Sequence, residues 1–322
     1  MLATQRPFRF GVGMTPVQSR SEWAAYAQKA EALGYATLCI GEHLSWGGLG
    51  LLPSLMAAAE ATTTLRLASH VFTNDLHNPV VLAAEAATLD LLSDGRLEFG
   101  LGAGWFHGDY AAAGIPFDPA IVRIQRLAEA VQLIKALWGD SPVTFTGGSY
   151  QVQDLNLHPK PMQRPHPPIF IGGGGKKVLT LAAREADIVG LDVKGTTTGV
   201  KDLATTAGAM IEQQIGWIRE AAGPRLPDLE IQILVFAIAI TNDRRQGAEQ
   251  IATMLASWPT TVMANAPSAD HILESPQFLL GTVEQIAADL QQRRERYGIS
   301  YITVFGDYID IFSPVVTLLD GK

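Results

Sequence analysis

Short apolar segments alternate with helix-patterned segments along the whole of this 322-residue chain. The strand candidates are Phe8–Gly13, Ala36–Gly41, Leu65–Val71, Leu97–Gly102, Ile169–Gly172, Asp187–Leu191, Ile231–Ile240 and Tyr301–Phe305. Most are apolar on both faces, as strands of a parallel sheet covered by helices on both sides must be. Between them, Trp23, Tyr26, Ala27, Ala30 and Leu33 share one helix face, and Ile211, Ile215, Ile218 and Ala222 share another. Pro79 opens a helix running to Leu92. Ile121–Trp138 reads as a long amphipathic helix, and Thr282-x-x-Gln285 has the spacing of a capping box before a helix stopped by Gly298. Eight such units predict an α/β fold of the (β/α)8 TIM-barrel type, with a doubly wound open sheet as the alternative. The expected organisation is one domain over 1–322 with insertions at about 140–168 and 241–277. The first insertion should hold a small hairpin, and the second a helix at about Arg245–Ser257 followed by an irregular tract.

In a barrel, chemistry gathers where strands end and loops begin. The fifth strand candidate ends in Gly172-Gly173-Gly174-Gly175-Lys176-Lys177 and then a helical pattern. Glycines let backbone approach an anion, and a helix N-terminus offers free N–H groups and a partial positive charge, so this turn suits a phosphate. An aspartate at Gly174 should therefore weaken anion binding. The second strand leads into Gly41-Glu42-His43 and Trp46. His43 should face the mouth as a proton donor, a proton acceptor or a substrate partner. Glu42, Trp46 and Trp105 are expected on the substrate side, with Glu42 orienting His43 or bonding within the barrel rather than reacting. The third strand leads into Ser69, His70 and Asn74, a possible ring-binding wall in which His70 fits either site or core. The alternating Gly100, Gly102 and Gly104 would let a flat ring lie against backbone, or would mark tight packing. His107 and Asp109, two residues apart, do not share a helix face and make a weak acid–base pair. After the sixth strand, Asp192 is expected against cofactor or substrate, with Lys194 and Thr196–Thr198 near the phosphate.

The net charge of −8 argues against nonspecific nucleic-acid or acidic-membrane partners, and no apolar run is long enough to span a bilayer. The single cysteine, Cys39, reads as a buried strand residue and fits a reducing cytoplasm. The first seven residues lack the apolar stretch of a secretory leader, so a cytoplasmic location is expected. The seven histidines form no H-x-H or H-E-x-x-H pattern, and no metal site is predicted.

Taken together these segments resemble the luciferase-like monooxygenase superfamily, nearest its deazaflavin (coenzyme F420)-dependent oxidoreductases. The strings that carry the likeness are Phe8–Val12, Gly41-Glu42-His43, Asn78–Asp90, Ser93-Asp94-Gly95-Arg96 through Gly102-Ala103-Gly104-Trp105, Gly114–Phe117, Pro167–Gly175 and Gly298–Val304. The resemblance implies a TIM barrel with insertions, commonly dimeric, with the cofactor ring at the C-terminal mouth. It implies that a non-prolyl cis peptide backs the ring at Ser69–His70, that Ala103 and Gly104 meet the ring, that Gly172–Gly175 hold the phosphate, and that His43 stands at the reacting face. Some F420-dependent sugar phosphate dehydrogenases carry a glutamate where this chain has Trp105, so a less polar small-molecule substrate is expected. Reduction of a C=C or C=N bond with F420 is the leading expectation. An FMN-dependent monooxygenase using reduced flavin and O2, or a non-catalytic cofactor-binding relative, are the alternatives.

Overall fold

The computed structural model describes residues 6–46 and 48–322; residues 1–5, on which the leader argument partly rests, and Gly47 lie outside it. Eight parallel strands close into a barrel: β1 (Arg9–Gly13), β2 (Thr37–Ile40), β3 (Arg66–Ser69), β4 (Leu97–Gly102), β5 (Ile169–Gly173), β6 (Ile188–Leu191), β7 (Glu230–Val235) and β8 (Ile299–Val304). Each pairs with its sequence neighbour in the ring, and β1 pairs with β8 through Arg9↔Tyr301 to Val12↔Val304, which completes the closure. The (β/α)8 reading holds, and the open sheet is excluded.

Local signals explain the surrounding helices. Asn78 caps Pro79–Leu92 by accepting from the N–H groups of Val80 and Val81, with proline at the tolerated first position. Thr282 and Gln285 form the expected capping box on Val283–Tyr297, and Gly298 ends that helix in the left-handed region at φ 79°. The outward strand residues Phe10, Leu38, Phe99 and Ile302 are fully buried beneath these helices. The expected hairpin is present as Val143–Thr146 against Gln151–Leu155.

One expected strand divides. Ile231–Ile240 does not continue as a single element: β7 ends at Val235, and Ala237–Ile240 pairs instead with Phe278–Gly281 in a separate parallel pair. Phe236 turns the chain out of the barrel, its N–H donating to the Gln277 carbonyl at 2.8 Å and its ring buried in a second apolar cluster with Val193, Leu203, Ile251 and Phe278. The tract after the helix Arg244–Ala256 is also more ordered than expected. Met263–Ala264 pairs with Lys201–Asp202, and Ala269–Glu274 is helical.

The barrel floor, at the strand starts, is a charged plug. Arg9 donates to Glu230 at 2.7 and 2.6 Å and to Glu98 at 2.5 Å, and Arg66 donates to Glu98 at 2.6 Å. The Arg9 guanidinium lies 3.7 Å from the centre of the Tyr301 ring. Burial pushes the Glu98 carboxyl up, but the two arginines outweigh it and hold the group below the usual carboxylate range.

Candidate active site at the barrel mouth

The end of β3 folds back over β4. Ser69 Oγ accepts from the Gly100 N–H at 2.7 Å and donates to its carbonyl at 2.9 Å. A Cβ on Gly100 would strike the Ser69 carbonyl, and one on Gly102 would come within 2.6 Å of the Val71 side chain. These glycines therefore make room for the Ser69–Val71 bulge, which is the tight-packing reading; a ring resting on them directly is excluded. The non-prolyl cis peptide is present one residue later than expected, between His70 and Val71. The His70 ring turns into the barrel against Phe170, with centroids 4.8 Å apart, and its buried Nε2 has no partner among the described residues. Gln232 on β7 is 1% exposed and its Nε2 is likewise unpartnered. Burial holds His70 below the ordinary histidine value against the pull of Asp192.

The loop after β4 is pinned by backbone capture. Arg123, from the helix Ala120–Trp138, donates to the carbonyls of Ala103 and Gly104, and the Tyr110 hydroxyl donates to Ala103 at 3.2 Å. Asn74 is 2% exposed and its amide donates to Tyr150 at 3.0 Å, so its side chain fastens the hairpin. Glu42 neither orients His43 nor faces the substrate side freely. Its carboxylate accepts from the Thr73 N–H at 2.8 Å and bonds His77 at 2.8 Å.

The partner of His43 is Asp109. His43 Nδ1 lies 2.7 Å from Asp109 Oδ2, while Asp109 Oδ1 accepts from the Ser45 N–H at 3.0 Å and the Ser45 hydroxyl at 2.8 Å. Sequence spacing set Asp109 against the exposed His107 and missed this contact, which joins the loops after β2 and β4. Burial pushes Asp109 up, but the Ser45 bonds and His43 outweigh it and keep the carboxylate ionised. Burial holds His43 below the ordinary histidine value, with Asp109 opposing. The imidazole is thus neutral at pH 7, with Nδ1–H donating to Asp109 and the Nε2 lone pair left over. Trp46 stacks on the His43 ring at 3.7 Å, and Trp105 meets it edge-on at 5.7 Å. Ser45 and Trp46 follow His43 on one loop, so one short segment supplies both the Asp109 partner and the ring cover.

Asp192, just past β6, pairs with Lys201. Lys201 is 7% exposed, and its ammonium lies 5.0 Å from the Trp105 ring centre. Nothing in the sequence around Thr196–Asp202 singled this lysine out. Lys194 instead points its side chain to solvent.

The four glycines divide their tasks. Gly172 and Gly173 belong to β5 and register with Gly190 and Leu191. Gly174 is locked: its carbonyl accepts from the Gln214 amide at 3.1 Å, and a Cβ there would sit 2.5 Å from the backbone of Val193 and Lys194. An aspartate at Gly174 would therefore deform the turn rather than report on an anion. Gly175 is open, with nothing within 4 Å of its Cβ position, and it precedes the helix Lys176–Glu185, which has no side-chain cap. Among the described residues no acceptor takes the N–H groups of Gly175, Lys176 or Lys177. A phosphate fits these amides. The Lys176 ammonium turns to Glu220, 3.4 Å away in an exposed pair. Gln214 also donates to the Asp192 carbonyl at 3.0 Å. A polar residue on the apolar Ile211–Ile218 face was the sequence signal for it. Among the described residues no group of three or more acidic, histidine or cysteine side chains could hold a metal ion, and no helix is long and apolar enough to cross a membrane.

Comparison with known proteins places this geometry. The chain is 30% identical over 212 residues to an FMNH2-dependent dimethylsulfone monooxygenase of Pseudomonas putida, covering 62% of this chain and 58% of that one. It is 33% identical over 190 residues to an F420-dependent glucose-6-phosphate dehydrogenase of Kineococcus radiotolerans, covering 56% of each. The aligned region thus spans a little over half of each of these relatives. Among solved structures, the F420-dependent tetrahydromethanopterin reductase of Methanopyrus kandleri superposes with a TM-score of 0.76 at 17% identity over 98% of both chains. A monooxygenase of Streptomyces bottropensis gives 0.75 at 21% identity, over 97% of this chain and 98% of that one. These structures share the fold. The profile of the family described as luciferase-like monooxygenase matches residues 3–300, and the chain belongs to that family.

Proposed function

We propose that this protein is an F420-dependent oxidoreductase acting on a small, weakly polar organic substrate. The observation that carries the reading is His43: a neutral imidazole whose Nδ1 is held by Asp109 and whose Nε2 stands free beside Trp46 and Trp105. The deazaflavin, when bound, would supply hydride exchange at its C5, the chemistry that belongs to the cofactor. The chain's own part is orientation, shelter and proton handling. The Gly175–Lys177 amides would take the phosphate, with Gln214 fixing the turn beneath them. The Ser69–Val71 bulge and the Ala103–Gly104 backbone, pinned by Gly100 and Arg123, form rigid walls on which a flat ring would be oriented. His43 Nε2 would accept a proton from a substrate hydroxyl in oxidation, or return it in reduction, while Asp109 fixes the tautomer and stabilises the protonated ring. Trp46 and Trp105 cover one side of that ring with apolar surface. The family resemblance puts Trp105 where some sugar phosphate dehydrogenases carry an acid, so a sugar phosphate is not the substrate proposed.

FMN is the second reading, favoured by the dimethylsulfone monooxygenase relative. The test is a titration of the purified protein with F420 and with FMN, followed by fluorescence quenching. Tighter binding of F420 and substrate-dependent change at its absorbance band are expected. FMN binding without F420 binding would reverse the assignment.

A further inference from the structure

Lys201 is a buried cation beside the reacting histidine, and its charge is already spoken for. Its ammonium pairs with Asp192 Oδ2 and lies 5.0 Å from the Trp105 ring, whose edge faces His43 at 5.7 Å. The lysine side chain is 9% exposed and the aspartate 26%, so the acid is the more accessible member of the pair. The other acids near His43, Asp109 and Glu42, are also occupied, by Ser45 and His43 and by Thr73 and His77. Resting on the functional reading above, we infer that the Asp192–Lys201 pair makes the mouth selective for uncharged ligands and that Asp192 is the residue that rejects anions.

The argument is one of exchange. A carboxylate or phosphate at Lys201 would have to share the ammonium with Asp192 or displace it, which in either case brings two like charges together around one buried cation. An uncharged ring asks for no such exchange; it covers apolar surface on Trp46 and Trp105 and leaves the ion pair intact. Specificity here is set by the cost imposed on the wrong ligand. The pair could instead serve only to fasten Lys201–Asp202 to the wall, and that role would be blind to ligand charge.

The test uses a matched pair of probes of one shape, cinnamate and cinnamamide, titrated by tryptophan fluorescence into the protein with and without saturating cofactor. No turnover is needed, so the result stands apart from which cofactor proves native. Wild type is expected to bind the amide at least tenfold more tightly than the carboxylate. Asp192→Asn, close in shape, should shift that ratio at least tenfold toward the carboxylate, and Asp192→Asn with Lys201→Met should lose the gain. Thermal melts of both variants establish that each is folded. An unchanged ratio in Asp192→Asn, a wild type that prefers cinnamate, or no binding of either probe to any of the three proteins would overturn the inference. Failure of F420 and FMN to bind, with the probe ratios as expected, would remove the oxidoreductase reading and leave the charge filter in place.

Discussion

At the strand-start end of the barrel, Glu98 is shared by Arg9 and Arg66, and Arg9 also takes both oxygens of Glu230. At the strand-finish end, His43 uses one ring nitrogen and keeps the other, and His70 and Gln232 each bury a nitrogen that has no partner among the described residues. Both ends carry charge inside a largely apolar shell. The floor satisfies its charges within the protein, whereas the mouth leaves hydrogen-bonding capacity unspent. Unsatisfied buried groups are costly and rare, so the unpartnered nitrogens of His70 and Gln232 give the mouth hydrogen-bonding capacity that a ligand could take up. The comparison also separates stability from activity: the same barrel should lose one or the other according to which end is cut.

The largest effect should come from the floor. Glu98→Gln leaves two guanidinium groups around an uncharged amide and should cost about 3 kcal/mol of stability, read as a lowered denaturation midpoint, with cofactor affinity unchanged in the folded fraction. A loss below about 1 kcal/mol would mean that water reaches the floor and the plug is not closed. At the mouth, His43→Ala should lower turnover by roughly a hundredfold or more, while cofactor affinity and the melting temperature stay near wild type. Equal turnover would remove His43 from the proton path. Gly175→Asp places a negative charge in open space before the uncapped helix and should weaken cofactor binding about tenfold or more with little change in stability. The control is Gly174→Ala, whose Cβ meets the backbone of Val193 and Lys194 and should lower stability first. The smallest effect is a displacement of a pH profile. The Asp109 charge raises the His43 pKa against the burial that lowers it. Asp109→Asn removes the raising influence, so the acid limb of kcat/KM, where His43 must accept a proton, should move to lower pH. A limb moving to higher pH would show that Asp109 is not its charge partner.

The barrel was legible because each strand core is apolar on both faces and each helix carries its own start and stop, as Asn78-Pro79, Thr282-x-x-Gln285 and Gly298 show. The glycine turn between β5 and its helix was legible for the same reason, since strand, glycines and helix are contiguous. What escaped was set by contacts across the ring. His43 and Asp109 lie 66 positions apart and meet only because β2 and β4 flank β3. Gly100 and Gly102 read as a platform because the residues that fill their space, Ser69 and Val71, come from a neighbouring strand. The break at Phe236 was hidden because both halves of Ile231–Ile240 are apolar; only the partner Phe278–Gly281, itself beyond a long insertion, draws the second half away. Lys201 offered no local pattern, and its role follows from a strand pairing with Met263–Ala264 that no spacing rule anticipates.

The second apolar cluster has an evolutionary corollary. Val193 and Leu203, which bracket Lys201, are anchored on Phe236, Ile251 and Phe278 rather than on the main core. Diversification of that block could retune which molecules are admitted while the cylinder beneath is inherited intact, and transplanting it between relatives should carry ligand preference with it.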